Sequence, residues 1–187
     1  MILLILVFTS ISLLGCKNTS ELVLSNLEEE KYQTTKSLPI PSAFFDGGFS
    51  KYESETDNKG IPLKNGKYHP SYISSYGLDL YMYYYNNSSS INTKDKIGKV
   101  SEWLSNNLIE KNNCSVWYFD FDFPHFRCYA PWSSCLTNAW GSGVLLISSY
   151  LYPEKKEKYF KEATSTMSYI LTPISEGGGL GTWNDET

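Results

Sequence analysis

Two histidines, His69 and His125, stand far apart in this chain, and its four cysteines show no Cys-x-x-Cys spacing, so no ligand cluster for a metal ion is expected and no other cofactor is called for. Charged residues make up 19% of the sequence and the formal net charge is −4. No run of one sign is long enough to serve as a patch for nucleic acid or another polyanion, so nucleic acid is not an expected partner. Long apolar runs are equally scarce. Met1 to Leu14 is the main one, and it is too short to cross a bilayer as a helix, which makes it an export signal in this reading. What the chain has in quantity is aromatic surface, 16% of residues with 15 tyrosines. Tyrosine joins a flat apolar face to a hydrogen-bonding tip, and both a protein core and a sugar-binding cleft use that combination.

Leu13-Leu14-Gly15-Cys16 resembles a bacterial lipobox. The resemblance implies a signal peptide over residues 1–15, a lipid on Cys16 that holds the protein to a membrane, and a place in the bacterial cell envelope. No Lys or Arg precedes the apolar run, a departure from the usual signal pattern that is explained if the true start lies upstream. Residues 16–42 are polar, with Glu28 to Glu30, Gln33 to Lys36, Pro39 and Pro41, and read as a tether. Residues 43–187 then form one domain, which opens irregularly through the turn signals Asp46-Gly47-Gly48, Asp57 to Gly60 and Lys64 to Lys67. With Cys16 lipidated, Cys114, Cys128 and Cys135 remain in an oxidising compartment. Three thiols cannot all pair. Cys114 and Cys128 are placed to close a hairpin, and Cys135 is expected to pack as a small apolar group.

Hydrophobic spacing predicts four helices in two antiparallel pairs. Ile73, Tyr76, Gly77, Leu80 and Tyr84 recur at intervals of three and four over Ser71 to Asn86, and Ile97, Val100, Trp103, Leu104 and Leu108 do so over Thr93 to Asn112. Ser133 to Leu151 and Glu154 to Leu171 carry the second pair. Between the pairs the period changes to two, with Trp117, Phe119, Phe121 and Phe123 alternating against Tyr118, Asp120 and Asp122, so a β-hairpin or extended arm is expected to project there. The fold class is therefore mainly α. Helix pairs of this kind suggest an incomplete (α/α) toroid, and because two pairs cannot close a ring, the expectation is a fragment of a larger domain.

The stretch from Ala130 to Gly141 is the main candidate for a ligand site. Pro131 precedes a helix start, Ser133 and Ser134 can cap it, and Trp132 and Trp140 flank it with flat apolar faces. Trp132, Ser134 and Asn138 are the candidate substrate contacts. The same features also describe a capped core helix with two packing tryptophans. His125 and Arg127, at the far end of the aromatic arm, can meet a carboxylate, Arg127 by a two-pronged contact. His69 before Pro70 fits a turn or cap, and Asp120 with Asp122 fits a solvated strand face unless another acid stands across a cleft, as a glycosidase needs.

Taken in order, Asp57-Asn58-Lys59-Gly60-Ile61-Pro62-Leu63, Tyr68-His69-Pro70, Ser75-Tyr76-Gly77-Leu78, Trp117-Tyr118-Phe119-Asp120-Phe121-Asp122-Phe123-Pro124, Pro131-Trp132-Ser133-Ser134 and Gly177-Gly178-Gly179 resemble the C-terminal domain of D-glucuronyl C5-epimerases. The resemblance implies an (α/α) toroid and an isomerase that inverts C5 of D-glucuronic acid within a polysaccharide, a uronate-containing polymer being the partner. Such chemistry needs a base and an acid on opposite faces of the sugar ring and donors for the enediolate. The family places its tyrosines and glutamate for this beyond the glycine turn, so no catalytic residue is carried over and this fragment is expected to be inactive. Asn138 and Trp140 stand where the family has paired glutamines. Two other readings remain open: a non-catalytic carbohydrate-binding lipoprotein, and a toroid glycosidase or lyase.

Overall fold

A computed structural model describes residues 50–87 and 90–180, which lie within a unit that begins at Phe45. The expected signal peptide at 1–15, the lipid site Cys16 and the tether at 16–42 lie outside the described residues.

Pro70 opens helix α1, Pro70–Asn86, at a position where a missing N–H costs nothing. Its core face is Ile73, Tyr76, Gly77 and Leu80, all buried, and Asn87 closes it by donating both backbone and side-chain N–H to the Tyr83 carbonyl. Helix α2, Ile91–Asn106, follows after four residues and starts on Ser90, whose hydroxyl accepts from the Thr93 N–H. Ile97, Val100 and Leu104 face inward. The short connection makes α1 and α2 neighbours that run in opposite directions.

The second helix is shorter than its spacing predicts. Asn107 caps it, and the expected continuation to Asn112 is instead a hairpin, β1 Ile109–Lys111 against β2 Cys114–Val116, in the register Ile109 to Val116. Asn112 and Asn113 form the turn with φ of 49° and 64°. A two-residue turn with both φ positive matches the twist of paired strands, and asparagine accepts that backbone more readily than most residues. Here the turn overrides the helical spacing of Leu104 and Leu108.

Helix α3, Cys135–Leu151, begins after the cis Ala130-Pro131 bond with Ser134 as its cap. A 3-10 turn over Pro153–Lys155 links it to helix α4, Lys156–Leu171, which buries Tyr159, Ala163, Thr166 and Tyr169. Among the described residues four α-helices and two short strands are present, and the class is mainly α. α3 is the hub: it packs on α1, α2 and α4. Ser101 of α2 and Ser148 of α3 share a buried hydrogen bond of 2.6 Å, and Ser133 ahead of α3 meets the Tyr169 hydroxyl of α4 at 2.6 Å.

The aromatic arm is a hairpin whose root is core, so the expectation that it projects holds only for its tip. Trp117 and Phe119 are buried, and the Trp117 indole N–H donates to the Leu104 carbonyl at 2.8 Å. Phe119 and Trp132 exchange backbone hydrogen bonds of 2.7 and 3.3 Å, as Phe123 and Cys128 do at 2.7 and 3.2 Å. Cys114 and Cys128 are free thiols in this structure, the first buried in β2 and the second on the arm. Cys135 is exposed at the first turn of α3, because its position faces the glycine loop and not the core. That loop is structural: the N–H groups of Gly177, Gly178 and Gly179 donate to the carbonyls of Ile174, Pro173 and Tyr169.

Candidate functional site

The site grows from three elements that meet at the start of α3. The first is the turn Lys64 to Lys67, where Asn65 and Gly66 take φ of 55° and 74° and the two lysines exchange backbone hydrogen bonds of 2.9 and 3.3 Å. Residues that flank a two-residue turn put their side chains on one face. The second element is the N-terminal end of α1, with His69 and Ser71. The third is the hairpin arm and the first turns of α3. Together they enclose a cleft of about 640 Å³ lined by Lys64, Lys67, His69, Phe121, Phe123, Trp132, Ser134 and Trp140 among others. That volume lies within the usual range for small-molecule sites, roughly 300 to 1,000 Å³.

The wall of the cleft is made of rings. Trp132 stacks on Phe119 with centroids 4.1 Å apart and planes within 13°, and its indole N–H donates to the Phe121 carbonyl at 2.7 Å. Those two contacts fix the indole before any ligand arrives. Phe123 lies 6.2 Å from Trp132 in a near-parallel arrangement. His69 packs against Phe119 and Phe121 with centroids at 5.0 and 5.3 Å, while its Nδ1 meets the Ser71 hydroxyl at 2.9 Å. Burial, and after it the positive charge of Lys64, pushes the imidazole below its ordinary value and favours its neutral form.

Electrostatically the cleft is one-sided. Lys64 and Lys67 stand at its rim, and among the described residues no Asp, Glu or Tyr lines it, the Glu55 carboxylate lying beside Gly66 on the turn. In a chain of net charge −4 this is a local cationic patch beside aromatic faces, an arrangement suited to an anionic ligand with flat apolar surfaces. Among the described residues no group of three or more His, Cys, Asp or Glu side chains is placed to hold a metal ion.

Of the residues picked from sequence, Trp132 and Ser134 line this cleft and His125, Arg127 and Asn138 do not. Asn138 is a correction. It is fully buried, its carboxamide oxygen accepts from the Trp117 N–H at 3.2 Å and its amide donates to the Ser134 carbonyl at 2.8 Å, so it joins the arm to α3 inside the core. His125 and Arg127 are exposed at the tip of the arm. Asp122 braces the arm by accepting from the Ala130 N–H at 2.9 Å, and Asp120 is exposed; neither reaches the cleft. Sequence reasoning missed Lys64 and Lys67, whose Lys-Asn-Gly-Lys pattern signals a turn. The paired lysines flanking Asn-Gly were the available sign of a shared face.

The domain thus belongs to a broad class, mainly α with an aromatic, cationic cleft at the N-terminal end of its central helix. No protein family matches the chain, and no curated protein or solved structure matches it either.

Proposed function

We propose that this domain binds a uronate-containing polysaccharide in the cleft between the Lys64 to Lys67 turn and the aromatic arm. The observation that carries the reading is the pairing of two rim lysines with a wall of fixed rings in a cleft that no carboxylate lines among the described residues. Sugar rings present C–H faces that stack on aromatic side chains, and a uronate adds the carboxylate that the lysines attract. The resemblance to D-glucuronyl C5-epimerases points to the same ligand class, and an envelope lipoprotein held by Cys16 would meet such polymers outside the cell.

Binding, rather than epimerisation, is what the residues support. Inversion at C5 requires a base and an acid across the ring from one another, and the cleft's proton-exchanging groups among the described residues, Lys64, Lys67 and His69, all come from one six-residue stretch and face the aromatic wall, with no second such group lining it from the arm. The finer fold assignment, an (α/α) toroid, rests on the two short-linked helix pairs and on Leu146, an apolar side chain exposed on α3.

The test is titration of the protein with a glucuronate-containing oligosaccharide and with its carboxyl-reduced, neutral counterpart, followed by incubation in deuterated water. The acidic sugar is expected to bind more tightly, with Trp132 fluorescence changing, and C5 is expected to stay unlabelled. Equal affinity for both sugars, or no binding of either, overturns the reading. Label at C5 replaces it with the epimerase.

A further inference from the structure

The rings of the cleft do not stop at its edge. Phe123 lines the cleft and also touches Phe126 beyond it, centroids 5.0 Å apart, and Phe126 meets the His125 ring at 4.9 Å. Trp132, Phe123, Phe126 and His125 therefore form one row from the cleft to the tip of the arm. Phe126 keeps these two ring contacts and is still 65% exposed, a large apolar ring held in water.

The tip that carries it is fixed in place. The Phe126 and Cys128 N–H groups both donate to the Phe123 carbonyl, at 3.1 and 3.2 Å, and the Arg127 N–H donates to the Pro124 carbonyl at 2.9 Å. Arg127 takes a left-handed φ of 54°, which reverses the chain there, and Asp122 clamps the returning strand through Ala130. A row of rings already ordered loses little entropy when something is laid along it. His125 ends the row and Arg127 directly follows Phe126 in the chain; Arg127, the chain's one arginine, is in none of the ion pairs found among the described residues. A guanidinium in that position is a two-pronged partner for a carboxylate.

The geometry points to a second subsite on the arm, in which Phe126 stacks on and Arg127 pairs with a further uronate unit of the polysaccharide seated in the cleft. This rests on the proposed function and adds to it that the ligand is a polymer, held at two places along its length. The occupant is the same chain because the ring row is continuous with the cleft and because the free charge at its end has the same sign as Lys64 and Lys67. Two linked contacts raise affinity by making the second one intramolecular.

Affinities of the full chain for a glucuronate tetrasaccharide and a dodecasaccharide test this, with wild type, Phe126→Ala and Arg127→Gln compared. Wild type is expected to gain well over tenfold from tetrasaccharide to dodecasaccharide. Each variant should lose about tenfold of that gain while binding the tetrasaccharide as wild type does, with unchanged thermal melting. Variants that keep the full gain overturn the second subsite and leave the cleft reading standing. If Phe126→Ala instead abolishes binding to anionic phospholipid vesicles and leaves the gain intact, the tip is a lipid contact and the subsite is also overturned. Failure of wild type to bind either sugar removes the cleft reading and the subsite with it.

Discussion

The ring of Trp117 lies so close to the α-carbon of Gly141 that a methyl group there would fall inside van der Waals contact with three of its ring atoms. The indole fills the space that a side chain on α3 would occupy, and its N–H reaches the Leu104 carbonyl at the end of α2. One side chain from the arm thereby joins two helices.

Gly141→Ala is expected to destabilise the domain by about 1 to 3 kcal/mol, because the ring it would displace is rigid and hydrogen-bonded. Trp117→Ala should cost more, roughly 3 to 5 kcal/mol, from the cavity it leaves and the carbonyl it strands. Urea titrations followed by far-UV circular dichroism measure both. A loss smaller for Trp117→Ala than for Gly141→Ala contradicts the account.

Asn138 and Ser134 separate fold from binding. Asn138→Leu leaves the Trp117 N–H without its acceptor inside the core, while the Ser134 carbonyl keeps the backbone N–H of residue 138, and is expected to lower stability by about 1 to 3 kcal/mol. Ser134→Ala removes a cap and should cost about 1 kcal/mol, but it also removes a hydroxyl from the cleft and is expected to weaken sugar binding. Isothermal titration of folded protein, run beside the melts, separates the two effects. Binding lost equally by both variants at equal folded fraction would show that Asn138 acts on the ligand.

The rim lysines should govern charge selection. Lys64→Gln with Lys67→Gln is expected to reduce affinity for the acidic oligosaccharide about tenfold or more, to flatten its dependence on salt, and to leave the neutral counterpart unaffected. Both side chains are exposed, so melting should change by no more than about 0.5 kcal/mol. Binding isotherms at low and high ionic strength supply the measurement.

His69 should make stability depend on pH. Its folded value lies below the unfolded value of about 6.5, so between the two the unfolded chain holds the extra proton. Stability is therefore lost as pH falls from about 6.5 through the folded value, and it levels off below that. His69→Gln should remove this slope, while the carboxylates still cause losses at lower pH. Chemical denaturation of both proteins across this window tests it, and identical slopes would exclude His69 as the source.

A buried acid gives the last prediction. Tyr52 donates to Asp79 Oδ2 at 2.9 Å and Lys51 stands 3.4 Å from the same oxygen, while Oδ1 has no partner among the described residues. Asp79→Ala leaves the Tyr52 hydroxyl with Ser75 Oγ, at 2.7 Å, as its remaining partner and should cost about 0.5 to 1.5 kcal/mol, whereas Asp79→Asn keeps the acceptor for Tyr52 and removes a buried charge, so it should cost less. Thermal melts rank the two.

Local pattern and local chemistry made part of this protein legible in its sequence. The spacing of Ile73, Tyr76 and Leu80, the proline at the start of α1 and the serine caps act within a few residues, and they fix helices wherever the rest of the chain lies. The period of two in Trp117 to Phe123 likewise gave an extended arm, and Pro131 to Ser134 gave the start of α3. The end of α2 departs from the apolar spacing of Leu104 and Leu108 because Asn112-Asn113 sets a turn against it, and pairing with Cys114 to Val116 decides between them. Asn138 lies inside the core for a related reason. A polar residue one turn into a helix reads the same whether it faces solvent or core, and only the arrival of the Trp117 backbone from the arm turns it inward. Lys64, Lys67 and His69 became part of one cleft through tertiary structure alone, since more than 60 residues separate that turn from Trp132, and no local rule connects positions so far apart along the chain.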